Sequence, residues 1–297
     1  MLLNIVLLAI SVFSAATAVI MIKASTVHPV LLASLRLFVA VIALLPVFLR
    51  DLRKHRAAYT TAHLRASVVP GLVLAIHLIT WAIGARMTPT ANASLIVNLV
   101  PLAMPFFLVW LVGEPLTRSE VAATAVALCG VVVLTGADLN LSRAFFVGDL
   151  VCFGSMLFYA LYMALGRRNR HHPTVWLYLV PLYGVAAVVS LAVAIFFVNP
   201  IQPYPLREIG LILGLGLVPT VLGHSLINRA MKYFRGQVVS IVNMTQFVGA
   251  AFLGFLVFGE VPVWSFYLAA VLMGVAAYLV LAQARGTRSQ EALDDQA

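Results

Sequence analysis

Two stretches of the chain decide the fold: residues 94–114, SLIVNLVPLAMPFFLVWLVGE, and residues 240–260, SIVNMTQFVGAAFLGFLVFGE. Both begin with Ser, place an Asn a few residues later and end in Gly-Glu after a long apolar run. Each run is long enough for one helix to cross a bilayer, which takes about 20 apolar residues. The two Gly-Glu pairs lie 146 residues apart in a chain of 297 residues, so the sequence indicates an internal repeat.

The composition supports a membrane protein throughout. Hydrophobic residues make up 63% of the chain and charged residues only 10%, against about 25% charged in a typical soluble domain. We therefore exclude a soluble enzyme, a nucleic-acid-binding protein and a disordered chain. Strand-like alternation is absent, which argues against a membrane β-barrel. The predicted fold is all-α integral membrane, with ten transmembrane helices at residues 2–22, 30–49, 67–87, 91–112, 119–136, 147–166, 174–198, 207–229, 236–258 and 262–283.

The basic residues predict the orientation in the membrane. Of 19 Lys and Arg residues, 14 fall in one set of loops and four in the opposite set. Basic loops face the cytoplasm, so both termini are expected there. The polar tail from residue 285 is expected to be disordered.

The repeat is expected to be inverted. His77 lies 37 residues before Glu114, and His224 lies 36 residues before Glu260. Because each copy holds five helices, an odd number, the second copy enters the membrane from the opposite side. Inverted repeats are typical of secondary transporters and place the substrate site near the midplane. The predicted organisation is a first five-helix repeat at 1–140, a second at 146–284 and a polar cytoplasmic tail at 285–297.

The chain resembles the drug/metabolite transporter superfamily, in its ten-helix EamA-type branch. Pro101, Gly113-Glu114 and Gly130 carry the resemblance in the first copy, and Gly259-Glu260 and Gly274 carry it in the second. Arg36 also resembles an arginine of that family. The resemblance implies a central cavity lined mainly by spans 1, 3, 4, 6, 8 and 9, and export of amino acids or other small metabolites. YddG-like amino-acid exporters are the nearest subtype by overall similarity.

Polar residues inside the predicted spans are the first candidates for substrate binding, because they are costly in a bilayer. Histidine titrates near neutral pH and binds carboxylates or protons, and an amide can hold a zwitterion because it both donates and accepts. Packing within the bundle is the alternative for each of them. The polar candidates are His77, Asn98, His224, Asn228, Asn243 and Gln246.

Aromatic residues and prolines complete the predicted site. Trp81 lies one turn from His77, and Tyr159 shares a helical face with Tyr162. Such rings suit an apolar substrate side chain or an ammonium group, although packing is an equal alternative for the tyrosines. Prolines inside spans free backbone carbonyls and kink the helix, so hinges are expected at Pro101, Pro105 and Pro219.

The function predicted from the sequence is export of small metabolites, most simply amino acids, by alternating access around a midplane site. No enzyme motif, metal site or cofactor site is evident, and we expect none. The expected partners are a small-molecule substrate and the lipid bilayer, with no nucleic acid, in a monomer or weak oligomer of the bacterial inner membrane. Multidrug efflux and a channel or receptor remain alternatives.

Overall fold

The computed structural model describes residues 1–138, 143–262 and 264–294, with only the backbone described at Ala91, 134–138, 143–144 and 285–294. The regular structure of these residues is helical. The helices are α1 Leu2–Ala24, α2 Pro29–Lys54, α3 Thr61–Ala66, α4 Val68–Met87, α5 Thr90–Val97, α6 Val100–Val112, α7 Arg118–Asp138, α8 Arg143–Arg168, α9 Val175–Ala194, α10 Leu206–Leu215, a π-helix Gly216–His224, α11 Ser225–Ala230, α12 Gly236–Met244, α13 Gln246–Phe258 and α14 Trp264–Asp294.

The all-α membrane architecture predicted from the sequence is confirmed. Over the described ranges, nine segments are long and apolar enough to cross a membrane. They coincide with nine of the ten predicted spans, and the remaining one, 119–136, is observed as the helix α7.

The expected disorder of the tail is wrong for residues 285–294, which continue α14 as a helix. A helix that is already nucleated can propagate through residues of modest helix propensity, and this segment contains no proline. The last three residues of the tail lie outside the described residues.

Three spans are interrupted near their middles. Span 4 breaks between α5 and α6, where the backbone N–H groups of Asn98 and Leu99 donate hydrogen bonds three residues back. Pro101 is the second residue of α6. Span 9 breaks at Thr245, between α12 and α13, without a proline. Span 8 contains the π-helix, which holds Pro219. Broken helices at membrane depth are tolerated where they are buried in protein or line a cavity, so the breaks mark the interior of the bundle.

The two Gly-Glu pairs end their helices in the same way. Gly113 and Gly259 adopt left-handed backbone angles, with φ of 68° and 70°. The N–H of Glu114 then donates to the carbonyl of Leu108 at 3.2 Å, and that of Glu260 donates to the carbonyl of Gly254 at 3.4 Å. This is the Schellman helix ending, which requires glycine at the left-handed position. The sequence repeat is therefore a repeat of local structure.

Helix α4 lies at the centre of the described bundle. It packs along α8 and α9 and also contacts α2, while α1 packs against the π-helix and α13. Helices α7 and α14, the fifth span of each predicted repeat, pack mainly against each other. The side chains of α4, α8 and the π-helix consequently meet in the interior.

Close backbone approach at the α4–α8 crossing gives a first prediction. A Cβ at Gly148 would lie 2.8 Å from the backbone carbonyl carbon of Met87, whereas a Cβ at Gly154, on the same helix, meets nothing within 4 Å. We expect Gly148→Ala to lower the free energy of unfolding by about 1–3 kcal/mol, because backbone cannot move aside as a side chain can. Gly154→Ala should be neutral or slightly stabilising. Thermal unfolding of both purified variants in detergent checks this, and equal melting temperatures would contradict it.

Candidate functional site

Four aromatic rings from three helices meet in the interior, and we call them the histidine–tyrosine cluster: His77 on α4, Tyr159 and Tyr162 on α8, and His224 at the end of the π-helix. The His77 ring stacks on Tyr159 with centroids 4.6 Å apart. The His224 ring lies edge-on to the other three, with centroids 5.6–6.1 Å away. All four side chains are buried. The sequence predicted each of them, and the structure brings them together.

Ser155 fixes the orientation of His77. The Nδ1 atom of His77 lies 3.0 Å from the Ser155 carbonyl oxygen, which can only accept. We therefore assign the proton to Nδ1, and Nε2 is then left as an acceptor. The Ser155 hydroxyl donates in turn to the His77 backbone carbonyl at 3.0 Å. The sequence analysis missed Ser155, because a small residue in an apolar helix gives no signal of its own.

A chain of amides connects this cluster to the two broken helices. The Tyr159 hydroxyl donates to Asn243 Oδ1 at 3.4 Å, and Asn243 Nδ2 donates to Asn98 Oδ1 at 3.2 Å. Asn98 Nδ2 donates to the Ser94 carbonyl at 2.7 Å. The paired asparagines therefore contact each other directly at the helix breaks, one from each copy of the repeat.

Several buried polar atoms near the cluster have no hydrogen-bond partner among the described residues. Asn228 Nδ2 donates to the Tyr162 hydroxyl at 2.7 Å, but Asn228 Oδ1 is unpartnered. The same holds for His224 Nδ1. Oε1 of Gln246, the first residue of α13 and not a member of the cluster, is also unpartnered. Buried polar atoms are almost always paired, so unpaired ones indicate a place where a ligand or water binds.

The other predicted residues lie elsewhere. Trp81 is buried in an apolar cluster with residues such as Val97 and Ala250, and not among the four rings. Pro105 lies inside α6, and Pro219 inside the π-helix. The sequence predicted a freed carbonyl near Pro219, and the structure shows that the Leu215 carbonyl accepts the Thr220 hydroxyl at 2.7 Å.

Each glutamate of the Gly-Glu pairs binds the beginning of a helix in the other copy of the repeat. Glu114 accepts from the Gly236 N–H at 2.8 Å, at the start of α12, and forms a 2.8 Å ion pair with Arg167. Glu260 accepts from the Thr90 hydroxyl at 3.0 Å, at the start of α5. Within the described residues Glu260 has no ion-pair partner. The two equivalent carboxylates therefore differ in their contacts: Glu114 has an ion pair and a backbone hydrogen bond, and Glu260 has the hydrogen bond from Thr90.

A second ion pair strengthens the Glu114 end. Arg235 pairs with Glu120 at 2.7 Å and also donates to the Pro115 carbonyl. Hydrogen bonding to Glu120 raises the pKa of Arg235 above its usual value. The loop between α11 and α12 is thus tied to the start of α7.

A cleft of about 240 Å³ opens near the same end, between α3 and the loop that follows α8. His63, Arg168 and His172 are among its lining residues. The His172 ring contacts the His63 ring with centroids 5.0 Å apart, and the His172 carbonyl accepts from Lys232 Nζ at 2.6 Å. Burial lowers the pKa of His172 below its usual value, although carbonyls of Asn169 and His63 face its ring nitrogens.

The lowered pKa of His172 predicts a loss of stability in acid. When the folded-state pKa lies below the unfolded value of about 6.5, the unfolded chain binds protons more readily, so stability falls as the pH drops below that value. We expect the melting temperature of the native protein to fall by about 1–2 °C more than that of His172→Gln between pH 7.5 and 5.5. His171→Gln, at the exposed neighbouring residue, serves as the control. Identical pH profiles for the native protein and His172→Gln would contradict the prediction.

In the described part of the chain, no group of three His, Cys, Asp or Glu side chains could hold a metal ion. Cys129 is exposed and Cys152 buried, and both are free thiols.

Comparison with known proteins agrees with this architecture. The EamA-like transporter family matches the chain twice, over residues 2–136 and 146–282. The chain belongs to the EamA-like transporter family. The two matches correspond to the two copies of the repeat, so the protein is a multi-pass membrane transporter with two EamA repeats. Membership of a transporter family also supports the prediction that it is not an enzyme.

Two curated relatives and one solved structure are similar to this EamA protein. The relatives are the pseudopaline exporters CntI of Pseudomonas aeruginosa strains UCBPP-PA14 and PAO1. Each is 25% identical over 199 residues, which is 66% of this chain and 67% of the relative. A crystal structure superposes with a TM-score of 0.74 over 96% of this chain and 98% of its own, at 20% identity. That likeness shows the fold alone.

Proposed function

We propose that this EamA protein exports small zwitterionic metabolites, amino acids in the first instance, from the bacterial cytoplasm by alternating access. The observation that carries the proposal is the histidine–tyrosine cluster with its unpartnered polar atoms, His224 Nδ1 and Asn228 Oδ1. Metabolite export is supported by the name of the curated relatives, which are exporters of pseudopaline.

The chemistry of the cluster suits a dipolar substrate. Stacked rings such as His77 on Tyr159 can hold an ammonium group through cation–π attraction. The amides of Asn98, Asn228 and Asn243 supply donors and acceptors without net charge. Within the described residues no carboxylate contacts the cluster, which disfavours a purely cationic drug as substrate.

The broken helices support alternating access. The breaks at Asn98–Leu99 and at Thr245 lie beside the paired asparagines, one in each EamA repeat. Hinges of this kind allow the parts of a helix on either side of a site to move separately. We propose hinges at these two breaks and at the π-helix. Pro101 and Pro219 are the local causes in spans 4 and 8, and Pro105 is a further proposed hinge inside α6. The same proposal includes the predicted repeat boundaries, 1–140 and 146–284, and a cytoplasmic location for both termini.

Uptake into liposomes tests this proposal. Purified protein is reconstituted and supplied with a panel of radiolabelled amino acids, with and without an imposed pH gradient. We expect saturable uptake of some members, and counterflow when unlabelled amino acid is preloaded, because a carrier exchanges substrate across the membrane and a channel does not. Protein-free liposomes are the control. No uptake across the panel would overturn the amino-acid proposal, and flux without saturation or counterflow would favour a channel.

A further inference from the structure

Arg36 is a buried cation that does not belong to the histidine–tyrosine cluster. It lies two turns into α2, and only 2% of its surface is exposed. Its Nε donates to the Thr220 hydroxyl of the π-helix at 2.9 Å, and its Nη2 is buried without a partner. Among the hydrogen bonds of the described residues, the Arg36 side chain donates to no backbone carbonyl.

Within the described residues, no carboxylate compensates the charge of Arg36. The acidic side chains that the structure describes are bound elsewhere, as Asp51 with Arg50, Glu114 with Arg167, Glu120 with Arg235, Asp149 with Thr88, Glu208 with Ser25, and Glu260 with Thr90. An arginine inside a bilayer is costly unless it is paired. An anion from outside the protein would therefore neutralise the Arg36 guanidinium and accept a hydrogen bond from its free donor.

Arg36 lies beside the proposed substrate site. Its partner Thr220 lies on the π-helix, four residues before His224. The Thr220 carbonyl accepts from the Ser225 hydroxyl at 3.4 Å. The Tyr183 hydroxyl lies 3.1 Å from the Ser225 hydroxyl, one residue after His224. An anion on Arg36 would consequently be next to the histidine–tyrosine cluster.

We propose that Arg36, oriented by Thr220, binds the carboxylate of the transported metabolite. This rests on the proposed function and specifies its substrate class as carboxylate-bearing. A guanidinium matches a carboxylate in charge and geometry. One cation without a second Lys or Arg beside it among the described residues balances one negative charge, which favours a carboxylate over a phosphate dianion. The ammonium end of a zwitterion then faces the aromatic rings.

The transport experiment compares each transported amino acid with its own carboxamide and its decarboxylated amine as counterflow competitors. The proteins are the native chain, Arg36→Gln, Arg36→Lys and the matched control Arg50→Gln, which removes an exposed arginine on the same helix. We expect the carboxamide and the amine to compete about tenfold less well than the acid, because a charge-assisted hydrogen bond is lost. Arg36→Gln should lose uptake by a similar factor, while Arg50→Gln keeps it.

A binding experiment tests the Arg36 site without measuring transport. The melting temperature of the purified protein is measured with phenylacetate, phenylacetamide or inorganic phosphate. We expect phenylacetate to stabilise the native protein and Arg50→Gln, and to have no effect on Arg36→Gln. Stabilisation by phosphate alone would overturn the carboxylate assignment.

The two experiments separate this inference from the proposed function. Equal competition by acids and carboxamides, or undiminished uptake by Arg36→Gln, would overturn the carboxylate site and leave amino-acid export standing. Absence of amino-acid uptake together with Arg36-dependent stabilisation by phenylacetate would overturn the amino-acid substrate and support the anion site. If neither uptake nor stabilisation is seen, both fail. If Arg36→Gln does not fold, the proposal is tested by comparing competition by amino acids and by their carboxamides on the native protein and on Arg36→Lys.

Discussion

Replacing Glu114 by Gln is expected to destabilise the protein by about 3 kcal/mol, because it breaks a buried ion pair and leaves Arg167 uncompensated. The side chains of Glu114 and Arg167 are only 9% and 11% exposed. Glu114 also accepts the Gly236 N–H at the start of α12, so the substitution weakens a helix end at the same time. The melting temperature in detergent should fall by roughly 5–10 °C.

The second EamA repeat supplies the matched control. Glu260 occupies the position equivalent to Glu114 but accepts only the Thr90 hydroxyl among the hydrogen bonds of the described residues. Glu260→Gln should therefore cost about 1 kcal/mol, the value of an ordinary hydrogen bond. Equal losses in Glu114→Gln and Glu260→Gln would contradict the ion-pair explanation. A double-mutant cycle with Arg167→Gln isolates the pair, and we expect a coupling energy above about 1 kcal/mol.

His77→Ala and Asn98→Ala are each expected to reduce amino-acid uptake by about tenfold or more while leaving the protein folded. Each change removes a polar group from the proposed site. The loss of one hydrogen bond to the substrate lowers the affinity by about tenfold or more. The hydrogen bond from Ser155 to residue 77 uses the backbone carbonyl, so it survives in His77→Ala and keeps α4 against α8. Initial uptake rates in liposomes, normalised to reconstituted protein, measure the effect.

Exposed residues of the same types are the controls for these variants. His171 and Asn199 both lie on the surface, in loops. His171→Ala and Asn199→Ala should therefore transport at the native rate. Native uptake by both His77→Ala and Asn98→Ala would remove the histidine–tyrosine cluster and the asparagine pair from the substrate site. A loss of uptake together with a large fall in melting temperature would show that His77 and Asn98 are needed for folding instead.

The sequence predicted most of the architecture, because the bilayer restricts what a chain can do. In hydrocarbon a backbone must satisfy its own hydrogen bonds, so long apolar runs become helices. The repeat was equally visible, since the Gly-Glu pairs at 113–114 and 259–260 carry the glycine that a left-handed helix ending requires. The family matches over 2–136 and 146–282 confirm that pattern.

Local sequence was less informative about where helices break. Pro101 marked the break in span 4, but the equivalent break at Thr245 has no proline. Near that second break, Asn243 donates to Asn98, a partner 145 residues away in the sequence, and local sequence does not reveal such a contact. The sequence likewise predicted an end of the last helix that is too early. The residues after 284 are polar, as in a loop, but α14 continues through them to Asp294.

The sequence by itself determined which residues are unusual at membrane depth: two histidines, three asparagines, one glutamine, a few aromatics and one arginine. Only the tertiary structure decided which of them meet. It placed Tyr159 against His77 and Asn243, and it placed Trp81 in an apolar cluster. Among the described residues it gave Arg36 no counter-ion. The physical reason is that the cost of burying a polar group depends on residue type, which is local, whereas the partner that offsets this cost comes from another helix.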